Sequence, residues 1–351
     1  MSIPATRKAI GFKQTGDFDV LEIIELPLTP APDQIVVKGV RAFTTKEPLN
    51  LIPYGPTNNL IAAPTFGLYS VPVPYAIGSE TAGTIVALPT DPAVLNDPEY
   101  KKRNFTVGAR VSASGSGLLA DYSAVPWNNV VVLPDNVSTR VAGGARAQGL
   151  TALTFISESY NVKKGDTILV HTVAGGLGLL FAQLIKARGA TVIGTTSTKE
   201  KAEIAKANGA DHVILYKDED TVQRVLEITN GVGVDAVFDG VGKDTFDSNF
   251  KMLKRKGTLV SVGNASGAVP PFPPIRLVEK NLVLLRPTVG NYLVTPQEMH
   301  YYTTEFFKLI SEGTLNILIH KEYEFTREDA IQAQKDLVSG NSVGKLIVKL
   351  P

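Results

Sequence analysis

The residues whose spacing carries most chemistry are Val173-Ala174-Gly175-Gly176-Leu177-Gly178. Gly175 lets a backbone approach a ligand closely, and Gly178 lets a following helix pack tightly on its sheet. The first-turn N–H groups of that helix, at its positive dipole end, suit the pyrophosphate of a dinucleotide. The first glycine of the usual pattern is Val173 here. A lone glycine cluster can be only a tight turn, so its context decides the reading. At the end of the next apolar run stand Ser197, Thr198 and then Lys201, and the strand end itself carries no Asp or Glu to accept from an adenosine 2′-hydroxyl. Two hydroxyls and a cation suit a 2′-phosphate instead, which points to NADPH. Thr198 can also cap the helix that follows. Tyr216 closes a further run and can cover an adenine or be a plain strand-end aromatic. Asp239-Gly-Val-Gly and Gly263-Asn264-Ala-Ser-Gly lie at two more strand ends, where open parallel sheets line their ligand crevice. Asn264 can bond a nicotinamide or ribose, or serve only the turn.

These residues need a scaffold, and the chain predicts one. From about residue 140, the apolar runs TILVHTV, TVIGTTS, HVILY, VDAVFDGV, TLVSVG and NLVLLRP alternate with the helix patterns GLGLLFAQLIKARG, KEKAEIAKANG, TVQRVLEITNG and TFDSNFKMLKRKG. Each helix pattern closes on a glycine, a common stop. The alternation predicts an α/β fold, a doubly wound parallel (Rossmann) sheet of about six strands. Residues 1–127 read as β-rich, with VLEIIELPL, QIVVKGVRA, TAGTIVAL, ARVSAS and DYSAVP punctuated by Pro and Gly. Residues 53–74, rich in proline, read as an ordered loop, and 89–104 as a polar loop facing solvent, its Lys101-Lys102-Arg103 included. A helix over PQEMHYYTTEFFKLISEG, then the strand IHKEYEF, a short helix and GKLIVKL return the C-terminus to the first domain.

Composition narrows the chemistry. The 351 residues exceed one core's worth, so two domains are expected. A formal net charge of +1 implies no broad attraction to nucleic acid or anionic lipid. With no cysteine, thiolate nucleophiles and thiolate zinc sites are excluded. The four histidines lack i, i+4 pairing, so no metal is expected. No apolar run reaches the roughly 18 residues a membrane span requires, and the first residues lack the apolar core of a signal peptide. A cytoplasmic protein is the expectation.

QGLTALTF (148–155), VKKGDTILVHTVAGGLG (162–178), GTTSTKEKAEIAKANGAD (194–211), FDGVGKDTF (238–246), LKRKGTLVSVGNASG (253–267) and SVGKLIV (342–348) resemble the medium-chain dehydrogenase/reductases. Within them the chain is similar to the zinc-free NADPH:quinone oxidoreductases, the zeta-crystallin-like group, and most closely to fungal members. The resemblance implies a GroES-like catalytic domain from 1–127 and 315–351, a Rossmann NADPH-binding domain from 128–314, an active site in the cleft between them, and a homodimer. It places cofactor contacts on Thr151, on Ala174 through Gly178, on Ser197 and Thr198, on Lys201 and Tyr216 around the 2′-phosphate, and on Val241, Gly263, Asn264, Ser266 and Lys345. The zinc branch needs a histidine in Gly78-Ser79-Glu80 and cysteine ligands, and has neither here. Where the family has an asparagine followed by an aromatic near the nicotinamide, this chain has Thr44 and Thr45. Thr44 can donate one hydrogen bond but lacks a carboxamide's reach. Ser339-Gly340-Asn341 likewise replaces a more basic approach to the last strand.

The expected activity is NADPH-dependent reduction of a quinone or related conjugated carbonyl. Thr44 and Thr45 would donate to the oxygen on which charge develops, with water as the proton source. Reduction of the carbon–carbon double bond of an enal or enoyl substrate needs the same cofactor site. An NADPH-gated RNA-binding protein is the alternative of another class, disfavoured by neutral charge and no aromatic–basic interleaving.

Overall fold

Short strands interrupted by Pro and Gly build the first part of the chain. The computed structural model describes residues 3–14, 16–43, 72–340 and 342–351. Strand β1 (Thr6–Phe12) pairs antiparallel with β2 (Glu22–Pro27). Next come β3 (Gln34–Phe43) and β4 (Tyr75–Ala76), the latter on the other side of β1. Then follow β5 (Glu80–Ala87), β6 (Arg110–Ser114), β7 (Tyr122–Pro126) and β8 (Val130–Val132). β3 pairs with β5 and β7, β5 with β6, and β6 with β8, all antiparallel.

The alternating region forms β9 (Thr167–Val170), β10 (Thr191–Thr196), β11 (His212–Leu215), β12 (Val234–Asp239), β13 (Leu253–Ser261) and β14 (Val283–Leu285). All six expected strands are present, in the order β11-β10-β9-β12-β13-β14 and parallel throughout. Strand order reverses between β9 and β12, so the edge at the C-terminal ends of β9, β10 and β12 is the switch point where such sheets take ligands. Beneath it lie Leu169, Ile193, Val237 and Leu259, all fully buried. Helices Gly176–Ala187, Lys199–Ala207 and Thr221–Ile228 end near Gly189, Gly209 and Gly231, each with positive φ.

Finally β15 (Ile319–Tyr323) pairs parallel with β16 (Lys345–Lys349), and β16 runs antiparallel to β3. The C-terminus therefore rejoins the first part of the chain, as expected. The described residues up to Leu150 form one compact unit with Leu293–Pro351, and Thr151–Tyr292 forms a second. By packing, segments 128–150 and 293–314 belong to the first unit.

Three local expectations need correction. The fourth helix stops at Met252 instead of running toward Gly257, because Leu253 pairs with Val234 as the start of β13 and is fully buried. The left-handed residue there is Lys256, φ 66°. Segment 89–104 is not a plain solvent loop: it forms two short helices, Pro92–Asn96 and Pro98–Lys102, capped by the side chains of Asp91 and Asp97. These bury Val94 and Tyr100 against Trp127 and Phe105. Arg103 is itself buried, its guanidinium donating to the carbonyls of Pro296 (2.7 Å) and Val130 (3.3 Å) and lying over Trp127.

Candidate functional site

The glycine turn leaves the end of β9 through His171 and Thr172. Thr172 takes φ 54°, a left-handed conformation that costs a β-branched residue energy. Gly175 is the N-cap of helix Gly176–Ala187 and has no side chain to cap it. The first-turn N–H groups are thus left for an anion. Packing fixes which glycines are needed. A Cβ on Gly178 would lie 2.4 Å from the Thr172 carbonyl oxygen and 2.7 Å from the Val173 backbone, whereas one on Gly175 would meet only that oxygen, at 3.2 Å. Gly178 therefore serves close packing, and Gly175 leaves space in front of the helix end. Val173 is fully buried against β10, in room made by Gly194, where a Cβ would meet Val173 Cγ1 at 2.4 Å. Ala174 is buried beside it.

At the end of β10, Thr198 caps helix Lys199–Ala207 by accepting from the Lys201 N–H at 3.3 Å. Ser197 and Lys201 flank it, half-buried. Bonding to its own backbone N–H and to the Thr198 side chain holds the Glu200 carboxyl below its usual range. Tyr216 follows β11, its N–H donating to the Thr196 carbonyl and its ring half exposed. The Asp239 and Gly263 loops are laced together. Val262 and Gly263 N–H groups donate to the Asp239 carbonyl at 2.7 and 3.1 Å, and Ser266 N–H to that of Val241 at 2.8 Å. The Ser266 hydroxyl donates to the Val241 carbonyl (2.9 Å) and accepts from Asp244 N–H (3.0 Å), so its hydrogen bonds serve the loop. Asn264 packs on Gly242, whose Cβ would lie 3.0 Å from Asn264 Oδ1.

Beneath this edge lies a polar cluster that motif reading missed. His171 Nδ1 is 3.0 Å from Thr195 Oγ1 and its Nε2 is 2.8 Å from Asn249 Oδ1. Asn249 Nδ2 donates to Asp239 Oδ2 at 2.8 Å, and Thr172 N–H to Thr195 Oγ1 at 3.3 Å. Asp239 Oδ1 also accepts from Val241 N–H at 2.8 Å. Thr195, His171, Asn249 and Asp239 are all at least 96% buried. The available signal was a polar residue ending each of two apolar strands, His171 after TILV and Asp239 after VDAVF.

The second unit thus brings together the expected residues from Ala174 to Gly178, the Ser197–Lys201 group with Tyr216 one strand over, and Val241 with Gly263, Asn264 and Ser266. Thr151 opens that unit, buried in helix Arg146–Thr154. Lys345 belongs to the first unit, buried with Nζ 4.0 Å from Glu80 Oε1. Burial pushes the Glu80 carboxyl up, opposed by Lys345 and by the Ala147 N–H, which donates to Oε2 at 2.8 Å. Thr44, Thr45 and the loop 53–74 up to residue 71 lie outside the described residues.

The uncapped helix end, the strand-end hydroxyls and Lys201 fit a phosphorylated dinucleotide, and the parallel sheet beneath makes this a doubly wound dinucleotide-binding fold. Residues 176–308 match the family model for a zinc-binding dehydrogenase, although the sequence has no cysteine. Among the described residues no group of three or more His, Asp or Glu side chains could hold a metal ion. A probable quinone oxidoreductase of Schizosaccharomyces pombe is 36% identical over 95% of this chain and 94% of its own. A 2-haloacrylate reductase of Burkholderia is 31% identical over 73% of this chain and 78% of its own. The crystal structure of Escherichia coli quinone oxidoreductase complexed with NADPH superimposes with a TM-score of 0.83 at 30% identity, covering 98% of this chain and all of that one. The chain belongs to the quinone oxidoreductase family of the medium-chain dehydrogenase/reductases.

Proposed function

We propose that the protein is an NADPH-dependent reductase of quinones or related conjugated carbonyls. The observation that carries this is the open strand-end edge, where an uncapped helix N-terminus faces the space before Gly175 and Lys201 follows β10. Bound there, NADPH supplies the hydride. The chain's own part is to bind and orient: first-turn N–H groups of helix Gly176–Ala187 for the pyrophosphate, Ser197 and Lys201 for the 2′-phosphate, Tyr216 for the adenine. The Val241 and Gly263–Ser266 loops, with Thr151 and Lys345, complete the cofactor contacts. Thr44 and Thr45 donate to the substrate oxygen as charge builds on it, and water supplies the proton. In this reading residues 1–127 with 315–351 are the catalytic domain and 128–314 the cofactor domain.

The resemblance to a 2-haloacrylate reductase favours a second reading, reduction of a conjugated carbon–carbon double bond. A panel of quinones, enals and acrylates with NADPH and NADH separates them. Quinone turnover with strong NADPH preference is expected; turnover of enals or acrylates without quinones selects the second reading. Equal use of both cofactors defeats the 2′-phosphate assignment.

The proposal extends to a cytoplasmic homodimer. Edge strand β14 exposes Val283 (52%), and Ile275 (70%) and Val278 (63%) in the segment leading to it are exposed as well, apolar surface suited to a second copy. Among the described residues no helix is long and apolar enough to cross a membrane.

A further inference from the structure

The buried cluster beneath the site has a direction. Asp239 accepts from Val241 N–H, Gly242 N–H and the Thr245 hydroxyl through Oδ1, and from Thr245 and Asn249 through Oδ2. Asn249 turns Nδ2 toward this carboxyl, donating to Oδ2 at 2.8 Å. That leaves Asn249 Oδ1 facing His171 Nε2 at 2.8 Å, and Nε2 must donate. With the proton on Nε2, Nδ1 accepts from the Thr195 hydroxyl at 3.0 Å. The Thr195 oxygen then has a lone pair for the Thr172 N–H. Every hydrogen bond in the run has one direction, set from Asp239 outward, and the run ends on the residue with φ 54° that opens the glycine turn.

We infer that the Asp239–Asn249–His171–Thr195 chain is a positioning device that holds Thr172 in its left-handed conformation and thereby sets the affinity of the glycine turn for NADPH; this rests on the cofactor reading above. The same carboxylate anchors Val241, so one buried group ties both halves of the site together. None of the four side chains touches the ligand in this scheme. They act through the backbone they hold.

The test is an exchange of partners. Asn249→Asp keeps the shape but sets an oxygen against Asp239, and Asp239→Asn removes the acceptor that orients Asn249. Each weakens NADPH binding, read by the fluorescence of the bound nicotinamide, by about tenfold, as expected for one buried hydrogen bond. Each also speeds hydrogen exchange at the Thr172 amide in the cofactor-free protein. The double variant restores every donor–acceptor pair with the partners swapped, and returns affinity and exchange to within about threefold of the parent. Thr195→Val removes only the hydroxyl next to Thr172 and gives the same pair of effects should Asn249→Asp not fold. Folded variants with parental affinity and parental Thr172 exchange overturn the inference, as does a double variant no better than the singles. The exchange arm needs no NADPH. A parent protein that ignores NADPH defeats the cofactor reading, whereas a parent that binds it beside an indifferent Asn249→Asp defeats this one.

Discussion

Two glycines three residues apart should fail in different ways when changed to alanine, and the difference reports where the pyrophosphate sits. At Gly178 the added Cβ falls 2.4 Å from the Thr172 oxygen and 2.7 Å from Val173 C and Cα. All three are backbone atoms, and the closest approach is about 1 Å inside ordinary contact. The helix must shift away from the turn, and overpacking of this kind costs about 1–3 kcal/mol. The higher helix propensity of alanine offsets up to about 1 kcal/mol of this. Gly178→Ala should therefore lower the unfolding midpoint as well as weaken NADPH. Gly175 differs on both counts. Its φ of −74° and ψ of 166° suit alanine, and an added Cβ would have one close neighbour, at 3.2 Å, far looser than the 2.4 Å at Gly178. Gly175→Ala should keep the parental unfolding midpoint. Its methyl would stand before the helix N–H groups, and NADPH affinity should fall by roughly 10–100-fold, or about 1.4–2.8 kcal/mol. Isothermal titration with NADPH and thermal denaturation without it measure the two effects separately. Unchanged NADPH affinity in Gly175→Ala would refute the placement of the pyrophosphate, whatever happens at Gly178.

Lys201→Ala should weaken NADPH by about tenfold or more, the worth of a charge-assisted hydrogen bond, and leave NADH unchanged; a parallel loss for both cofactors removes Lys201 from the 2′-phosphate. Arg103→Met leaves the Pro296 and Val130 carbonyls without their buried donor and should cost about 2–4 kcal/mol in urea unfolding, with Arg103→Lys recovering little because one ammonium cannot reproduce the fork. Asp336 accepts from the Tyr323 hydroxyl (2.6 Å), Gln332 (2.6 Å) and Lys321 (3.3 Å), which hold its carboxyl below the usual range. A depressed carboxyl stabilises the fold above its unfolded value of about 3.8, and that stabilisation is lost as pH falls through the folded value. The urea midpoint of Asp336→Asn should thus lie below the parent's at pH 6 and converge on it below about pH 4; a gap that persists undiminished at pH 3 contradicts the linkage.

The parallel sheet was legible because its strands are buried on both faces, so TILV and the AVF of VDAVFD read as unbroken apolar runs. The fourth helix was misjudged at Leu253, where pairing with β12 overrides a helical pattern that local residues support equally well. Segment 89–104 misled through composition, since its charge hid an Arg103 whose partners lie as far along the chain as Pro296. The placement of the candidate residues at strand ends was legible for the opposite reason: they stand in sequence-local turns. The His171–Asn249–Asp239 run was not, because each member finds its partner across strands and its polarity alone does not say which.

The glycine missing from the turn shows how these two kinds of information combine. The usual first glycine permits a tight turn, and at that position this chain has Val173. The left-handed residue is Thr172, one before it, and the Val173 side chain finds its room on the neighbouring strand, at Gly194. A valine at 173 thus requires two things at once. There must be a residue without a side chain beside it on β10, and a hydrogen-bond acceptor to hold the Thr172 N–H in an unfavourable conformation. Thr195, next to Gly194, supplies that acceptor. The volume Val173 adds and the acceptor Thr172 needs are both met by two adjacent residues of β10, Gly194 and Thr195. The pattern around a dinucleotide site is therefore better read across paired strands than along one segment, and Val173 is a compensated position and not a weakened one.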